Sequence, residues 1–117
     1  MKLVYHMVNN RGDLDAVFGA LTDQTRRDMV IRLARGPATI GELGRPFAIT
    51  KGAVTKHIKV LEQSGFLKRD IRGRVHRCDI DTRPLDRAEQ WVDQVRSYWE
   101  VRFDDLATYL DDLKRRR

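Results

Sequence analysis

Residues 51–78 hold Lys51, Lys56, Lys59, Lys68, Arg69, Arg72, Arg74 and Arg77 against only Glu62 and Asp70. That excess equals the formal net charge of the 117-residue chain, +6, so bases and acids elsewhere cancel. Clustered ammonium and guanidinium groups capture anions, and nucleic acid is the polyanion such a cluster most often meets. His57, His76 and Cys78 lie in the same stretch, and with His6 they are all the imidazoles and the one thiol of the chain. His76 and Cys78 are two apart on a β-prone run and can share a face. Two ligands do not complete a tetrahedral metal site, so no metal and no other cofactor is expected. A lone cysteine near Ile80 is expected to be inert packing, permits no intramolecular disulfide, and fits a reducing cytoplasm.

Catalysis finds no support, since neither a glycine-rich phosphate loop nor a nucleophile motif occurs. The pairs Asp104-Asp105 and Asp111-Asp112 fall near arginines on a helical pattern, as a solvated face does. No apolar run suits a membrane span, and no hydrophobic leader is evident. At this length one domain is expected, with a modest core.

The basic stretch needs elements to hold it. Thr50 can cap a helix that closes at Ser64-Gly65. At 100° per residue, Lys51, Gly52, Thr55, Lys56, Lys59, Glu62 and Gln63 fall within about 140° of arc. Ala53, Val54, His57, Ile58, Val60 and Leu61 occupy the opposite arc, so one face is core and the other is basic. His57, in the middle of the apolar arc, is expected to be a buried, hydrogen-bonded histidine. Before this helix, Thr39 and Glu42 form a capping-box pattern opening a short helix with Ile40 and Leu43 inward. Arg45-Pro46 ends it, and "PFAIT" makes a tight turn. Short helix, turn and basic helix are the order of a helix-turn-helix.

After Gly65, the run Phe66, Leu67, Ile71 and the run Val75, Cys78, Ile80 flank Arg72-Gly73, a hairpin signal. Basic residues on an exposed strand can simply discourage aggregation. Directly after a recognition-type helix, a basic hairpin is better explained as a wing on the phosphate backbone or minor groove. Thr50, Lys51, Gly52, Thr55, Lys56 and Lys59 are the candidate DNA contacts of the helix, and Arg72 and Arg74 those of the wing.

The remaining pattern is helical. Asp13 can cap a first helix with Leu14, Val17, Phe18 and Leu21 on one face. Thr22 or Asp23 starts a second, with Met29, Val30, Leu33 and Ala34 inward and Gly36-Pro37 as its stop. From Pro84 to Leu113 nothing breaks the pattern. Leu85, Val92, Trp99, Leu106 and Leu113 recur every seven residues on a helix of about 45 Å. Such a seam is covered either by the first helix or by a second copy of the chain. Its length favours a homodimer through Leu14, Phe18, Leu85, Val92, Trp99 and Leu106. Residues 1–12 are expected to be an extension, 13–113 the domain with its dimerisation helix at 83–113, and 114–117 a basic tail.

The segment "DQTRRDMVIRLARGPATIGELGRPFAITKGAVTKHIKVLEQSGFLKRDIRGRVHRCDI" resembles the winged-helix core of ArsR/SmtB-type bacterial transcriptional regulators. Thr25-Arg26-Arg27, Gly36-Pro37, Ala53 to Glu62, Gly65 and Gly73-Arg74 carry the resemblance. The tail, with Trp91, Trp99-Glu100, Arg102-Phe103-Asp104 and Tyr109-Leu110, resembles the branch lacking the metal-site cysteines. In the wing, His76, Cys78 and Thr82 stand where that branch usually has arginine, tyrosine and proline. The resemblance implies a mainly α winged helix-turn-helix, about five helices plus a β-hairpin. It also implies a homodimeric repressor that binds an operator. Together with the residues this gives the expectation of a non-enzymatic, cytoplasmic homodimer on an inverted repeat in double-stranded DNA, away from membranes. Sensors of that family place ligands on the helix before the recognition helix or on the last helix. Here "TIGELGRPF" has no cysteine and residues 83–117 no histidine. A ligand-, metal- or thiol-responsive repressor and a sequence-neutral architectural DNA-binding protein are the alternatives.

Overall fold

The computed structural model describes residues 11–116. Five helices and a three-stranded antiparallel sheet occur among them: α1 Arg11–Ala20, α2 Gln24–Leu33, β1 Ala38–Thr39, α3 Ile40–Gly44, α4 Lys51–Gln63, β2 Leu67–Arg72, β3 Val75–Ile80 and α5 Arg83–Arg115. His6 and most of the expected N-terminal extension lie outside the described residues, while Arg11 and Gly12 already belong to α1.

Local chemistry starts and stops these elements. Asp13 stands within the first turn of α1 rather than at its cap. Asp23 caps α2, its carboxylate accepting from the Arg26 N–H at 3.1 Å. Thr39 caps α3, accepting from the Glu42 N–H, and its hydroxyl lies 3.2 Å from the Glu42 carboxylate. Thr50 caps α4 by accepting from the Ala53 N–H at 3.1 Å. Helix α2 ends one turn before Gly36-Pro37, so Ala34, expected inward, is the exposed C-cap. Gly65 (φ +87°) reverses the chain out of α4, a conformation that costs L side chains steric strain.

Strands β2 and β3 pair from Leu67↔Ile80 to Arg72↔Val75, leaving Gly73 and Arg74 as the two loop residues. Gly73 takes the positive φ (+64°) at the first loop position, the requirement of a type II′ turn. The sequence pattern does not predict β1: Ala38 pairs with Cys78 and Thr39 with Arg77. That short strand follows the Gly36-Pro37 stop and partly covers the edge of β3.

Val17, Met29, Leu33, Leu43, Ile58, Leu61, Phe66 and Cys78 meet in one core, each essentially sealed from solvent. Burial of each large apolar side chain contributes about 1.5–3 kcal/mol. The core ends early along α5. Phe18 of α1 packs edge-on against Trp91, ring centroids 5.5 Å apart, but every residue from Arg96 to Arg116 is exposed. The molecule is consequently elongated, 76 × 28 × 22 Å.

Candidate nucleic-acid interface

Helix α4 divides as its periodicity demands. Val54, Ile58 and Leu61 are buried; Ala53, His57 and Val60 are half-buried. Lys51, Gly52, Thr55, Lys56, Lys59, Glu62 and Gln63 are all exposed. Thr50 is exposed too, so its hydroxyl proton remains free while its oxygen serves as the cap. The Thr55 hydroxyl is differently placed. It donates to the Lys51 carbonyl at 3.0 Å, so this exposed side chain has its methyl group and lone pairs left for other contacts.

What fixes the angle of α4 is a close approach to α3. A Cβ built on Gly44 would lie 2.7 Å from Val54 Cγ2 and 3.0 Å from Cγ1. Only a residue without a side chain lets the two helices of the helix-turn-helix pack at this distance. A second fixture is Arg26, from the Thr25-Arg26-Arg27 segment. Its Nε donates to the Ala20 carbonyl at 2.8 Å, an orphan acceptor at the end of α1, and its Nη2 to the Gly19 carbonyl at 3.1 Å, which also accepts from Thr22. Its Nη1 lies 3.2 Å from His57 Nδ1. Guanidinium can only donate, so that nitrogen accepts and the imidazole proton sits on Nε2. Asp23 is 3.8 Å from the same nitrogen, and its carboxyl is held below the usual range, chiefly by the Arg26 N–H. His57 is thus a hydrogen-bonded histidine at the edge of the core, not a fully buried one.

The wing's bases are not equivalent. Arg69 donates to the Glu62 carboxylate and lies beside His76 Nδ1, both at 3.2 Å, with its Nε left without a partner. It fastens the root of the hairpin to the end of α4 and is not free to meet DNA. Lys68 lies 3.7 Å from the Asp81 carboxylate, whereas Arg77, although opposite Asp70 in the register, forms no ion pair among the described residues. Arg72 pairs with Asp70 at 3.2 Å yet keeps most of its surface exposed. Arg74, in the turn itself, is exposed and forms no ion pair among the described residues. Arg74 and Arg77 are thus the wing bases without a carboxylate partner among the described residues, and Arg72 shares Asp70 at the exposed tip.

Among the described residues no three histidine, cysteine or carboxylate groups gather where a metal could bind. Cys78 is sealed, and burial raises its thiol pKa, the reverse of what a reactive thiolate needs. The position that departs from the family pattern is packed: Cys78 fills the wing's base, and His76 is engaged by Arg69. At the root of α5, Asp81 accepts from Arg83 N and Nε at 3.0 Å, and these bonds hold its carboxyl far below the usual range.

The residues expected at a dimer seam lie as follows. Leu14 and Phe18 are half-buried on α1, the latter against Trp91. Leu85, Val92, Trp99 and Leu106 share one stripe of α5, with Trp99 and Leu106 53% and 52% exposed. Sequence reasoning misses Gly44, Arg26 and Ile49, the last an exposed apolar residue just before the cap of α4. A glycine near the end of a short helix is the one signal that points to the first.

A helix-turn-helix domain family matches residues 21–70. The HTH-type transcriptional regulator Rv2034 of Mycobacterium tuberculosis (strain ATCC 25618 / H37Rv) is 48% identical over 48 residues, 41% of this chain and 45% of that protein. The match therefore spans less than half the length of that relative. The transcriptional repressor SdpR of Bacillus subtilis (strain 168) is 27% identical over 79 residues, 68% of this chain and 88% of that protein. The crystal structure of the ArsR family transcriptional regulator RHA00566 is similar to this fold with a TM-score of 0.75 and 40% identity, over 77% of this chain and 93% of that one. No helix among the described residues is long and apolar enough to cross a membrane. With this identity running from the helix-turn-helix through the wing across nearly the whole of a solved relative, the chain belongs to the ArsR family of transcriptional regulators.

Proposed function

We propose that the chain acts as a cytoplasmic homodimeric repressor that occupies an imperfect inverted repeat in double-stranded DNA. The observation that carries this is the sorting of α4: its apolar arc is closed against the core while its lysine face meets solvent. In this reading Lys51, Gly52, Thr55 and Lys56 enter the major groove, and Thr50 and Lys59 meet phosphates. Arg72 and Arg74 at the hairpin tip grip the backbone. Two copies joined through α1 and α5 present two recognition helices to successive faces of the duplex.

The test separates helix from wing. Arg72→Ala with Arg74→Ala weakens operator and random duplex alike, and makes the log-log salt dependence shallower by about 0.9 for each phosphate no longer neutralised. Thr55→Ala with Lys56→Ala costs mainly operator affinity, about 1–3 kcal/mol for each base edge no longer read. Isotherms at several salt concentrations on operator and scrambled duplexes measure both. Loss of operator preference in the wing variant alone reverses the two roles, and an operator-to-random ratio near one for the unmodified protein leaves only an architectural binder.

A further inference from the structure

The reading face of α4 has an unusual inventory of side chains. From Ile49 to Lys59 there is no arginine, asparagine, glutamine, aspartate or glutamate. The side chains that commonly make bidentate contacts to adenine, or accept from cytosine, are therefore absent. The ammonium groups of Lys51, Lys56 and Lys59 can address guanine or phosphate. His57 is turned inward to Arg26. The Thr55 hydroxyl proton is spent on the Lys51 carbonyl, so what this exposed side chain has left to offer is its methyl group and its lone pairs.

Beside this face runs a groove of about 520 Å³ between α3 and α4. Phe47, Ile49, Val54 and Thr55 give it apolar walls, and Arg45 and Lys51 line it as well. Ile49 is 39% exposed directly before the Thr50 cap. An apolar groove flanked by two cations, continuous with a lysine face, suits a ligand that is itself polyanionic and carries small apolar groups. In the major groove that apolar group is the 5-methyl of thymine.

We infer that the groove is a thymine-methyl site, with Ile49 and the Thr55 methyl as its specificity-determining contacts and the lysines selecting neighbouring guanine. This rests on the proposed operator binding and adds what each half-site must contain. The reading chemistry is thus apolar packing on pyrimidine methyls rather than bidentate hydrogen bonding to adenine.

The experiment changes the DNA, so the fold of the protein is untouched. Duplexes enriched by the full-length chain from a random pool give the operator. Each thymine is then replaced singly by deoxyuridine, which deletes the methyl and keeps the base pair. Binding to fluorescent duplexes at fixed salt is expected to weaken about fourfold at one or two thymines per half-site, the value of one buried methyl-sized group. Ile49→Ala is expected to abolish the difference between thymine and deoxyuridine at the same position. Restoring a methyl there with 5-methylcytosine opposite guanine, in place of plain cytosine, should recover part of the affinity. A specific operator whose affinity ignores every uracil sinks this inference and leaves the operator reading intact. So does a uracil effect that persists unchanged in Ile49→Ala and Thr55→Ser together. A pool from which nothing is enriched sinks both.

Discussion

Helices α4 and α5 are both amphipathic, and they end up in different conditions. The apolar arc of α4 is closed by its own chain, with Ile58 and Leu61 wholly buried. The apolar stripe of α5 is closed only at its root, by α1 through Phe18 on Trp91. Beyond it Trp99, Phe103, Leu106, Tyr109, Leu110 and Leu113 stand 42–62% exposed. A helix of 33 residues spans about 50 Å, several times the length that a ten-residue partner like α1 covers. Periodicity, then, reports a demand for burial without naming what meets it. For α4 the demand is met within the monomer, and for α5 it is left unmet in the single chain, as the proposed dimer requires.

The largest expected effect strikes that unfinished stripe. Trp99→Ala with Leu106→Ala removes four large side chains from a dimer, each contributing about 1.5–3 kcal/mol when fully buried. About half of each is already covered in the single chain, so association weakens by at least about 3 kcal/mol, more than a hundredfold. Sedimentation of the variant should show monomer where the parent is dimer, and operator affinity should fall with it. An unmodified protein that sediments as monomer at micromolar concentration overturns the proposed dimer, because the exposed stripe then has no second copy to cover it.

Much of α4 and α5 is legible in the sequence because their signals are local. Thr39 and Thr50 cap helices through bonds to residues three positions on, and Gly73 serves a two-residue turn. What escapes is whatever depends on a distant neighbour. Strand β1 exists because β3 offers an edge some forty residues later, and nothing in Ala38-Thr39 announces it. Arg26 looks like a surface base until the end of α1 arrives beside it. Arg69 counts toward the basic wing in sequence, yet the fold spends it on Glu62 and His76. The heptad stripe is visible in the chain; how little of it α1 covers is not, because that depends on where α1 meets α5.

A second break is aimed at the closure of α4. Gly44→Ala sets a methyl within 2.7 Å of Val54 Cγ2, so α3 and α4 must part. Overpacking of this kind costs about 1–3 kcal/mol. The variant should melt several degrees lower and bind operator more weakly, with α4 displaced. Gly44→Ala combined with Val54→Ala, which vacates the space, should recover part of the operator affinity. Failure of that rescue would mean the approach of the two helices is not what sets the geometry of α4.

Acid should loosen α2, whose cap lies beside α4, and the root of α5, through different carboxylates. Asp23, beside His57 of α4, and Asp81, at the root of α5, both titrate below the usual carboxylate value of 3.8. A depressed folded-state pKa means stability that is present above the unfolded value and is lost as pH falls through the folded one. The contribution is therefore complete at neutral pH and disappears only below about pH 4. Asp81→Asn and Asp23→Asn should each lower stability at pH 7 and flatten its fall between about pH 4 and pH 2. If the tryptophan emission of Trp91 and Trp99 follows acid unchanged in Asp81→Asn, the Asp81–Arg83 pair does not anchor α5.

The smallest expected effect separates an open face that meets DNA from one that is merely solvated. Gly52 lies in the first turn of α4, where an added Cβ meets nothing nearer than Thr50 Oγ1 at 3.9 Å. In the free protein Gly52→Ala should therefore raise stability by about 0.5–1 kcal/mol, since alanine surrenders less backbone freedom on forming a helix. A thermal melt should record a small upward shift. On DNA the sign should reverse. If the start of α4 lies in the major groove, the methyl occupies space that the glycine leaves for a base edge or sugar, and operator affinity falls although the protein is more stable. Random duplex, held through phosphates, should respond less. A variant that melts higher and binds operator as tightly as its parent places Gly52 on a face turned to water, and the docked surface must then be sought at the wing.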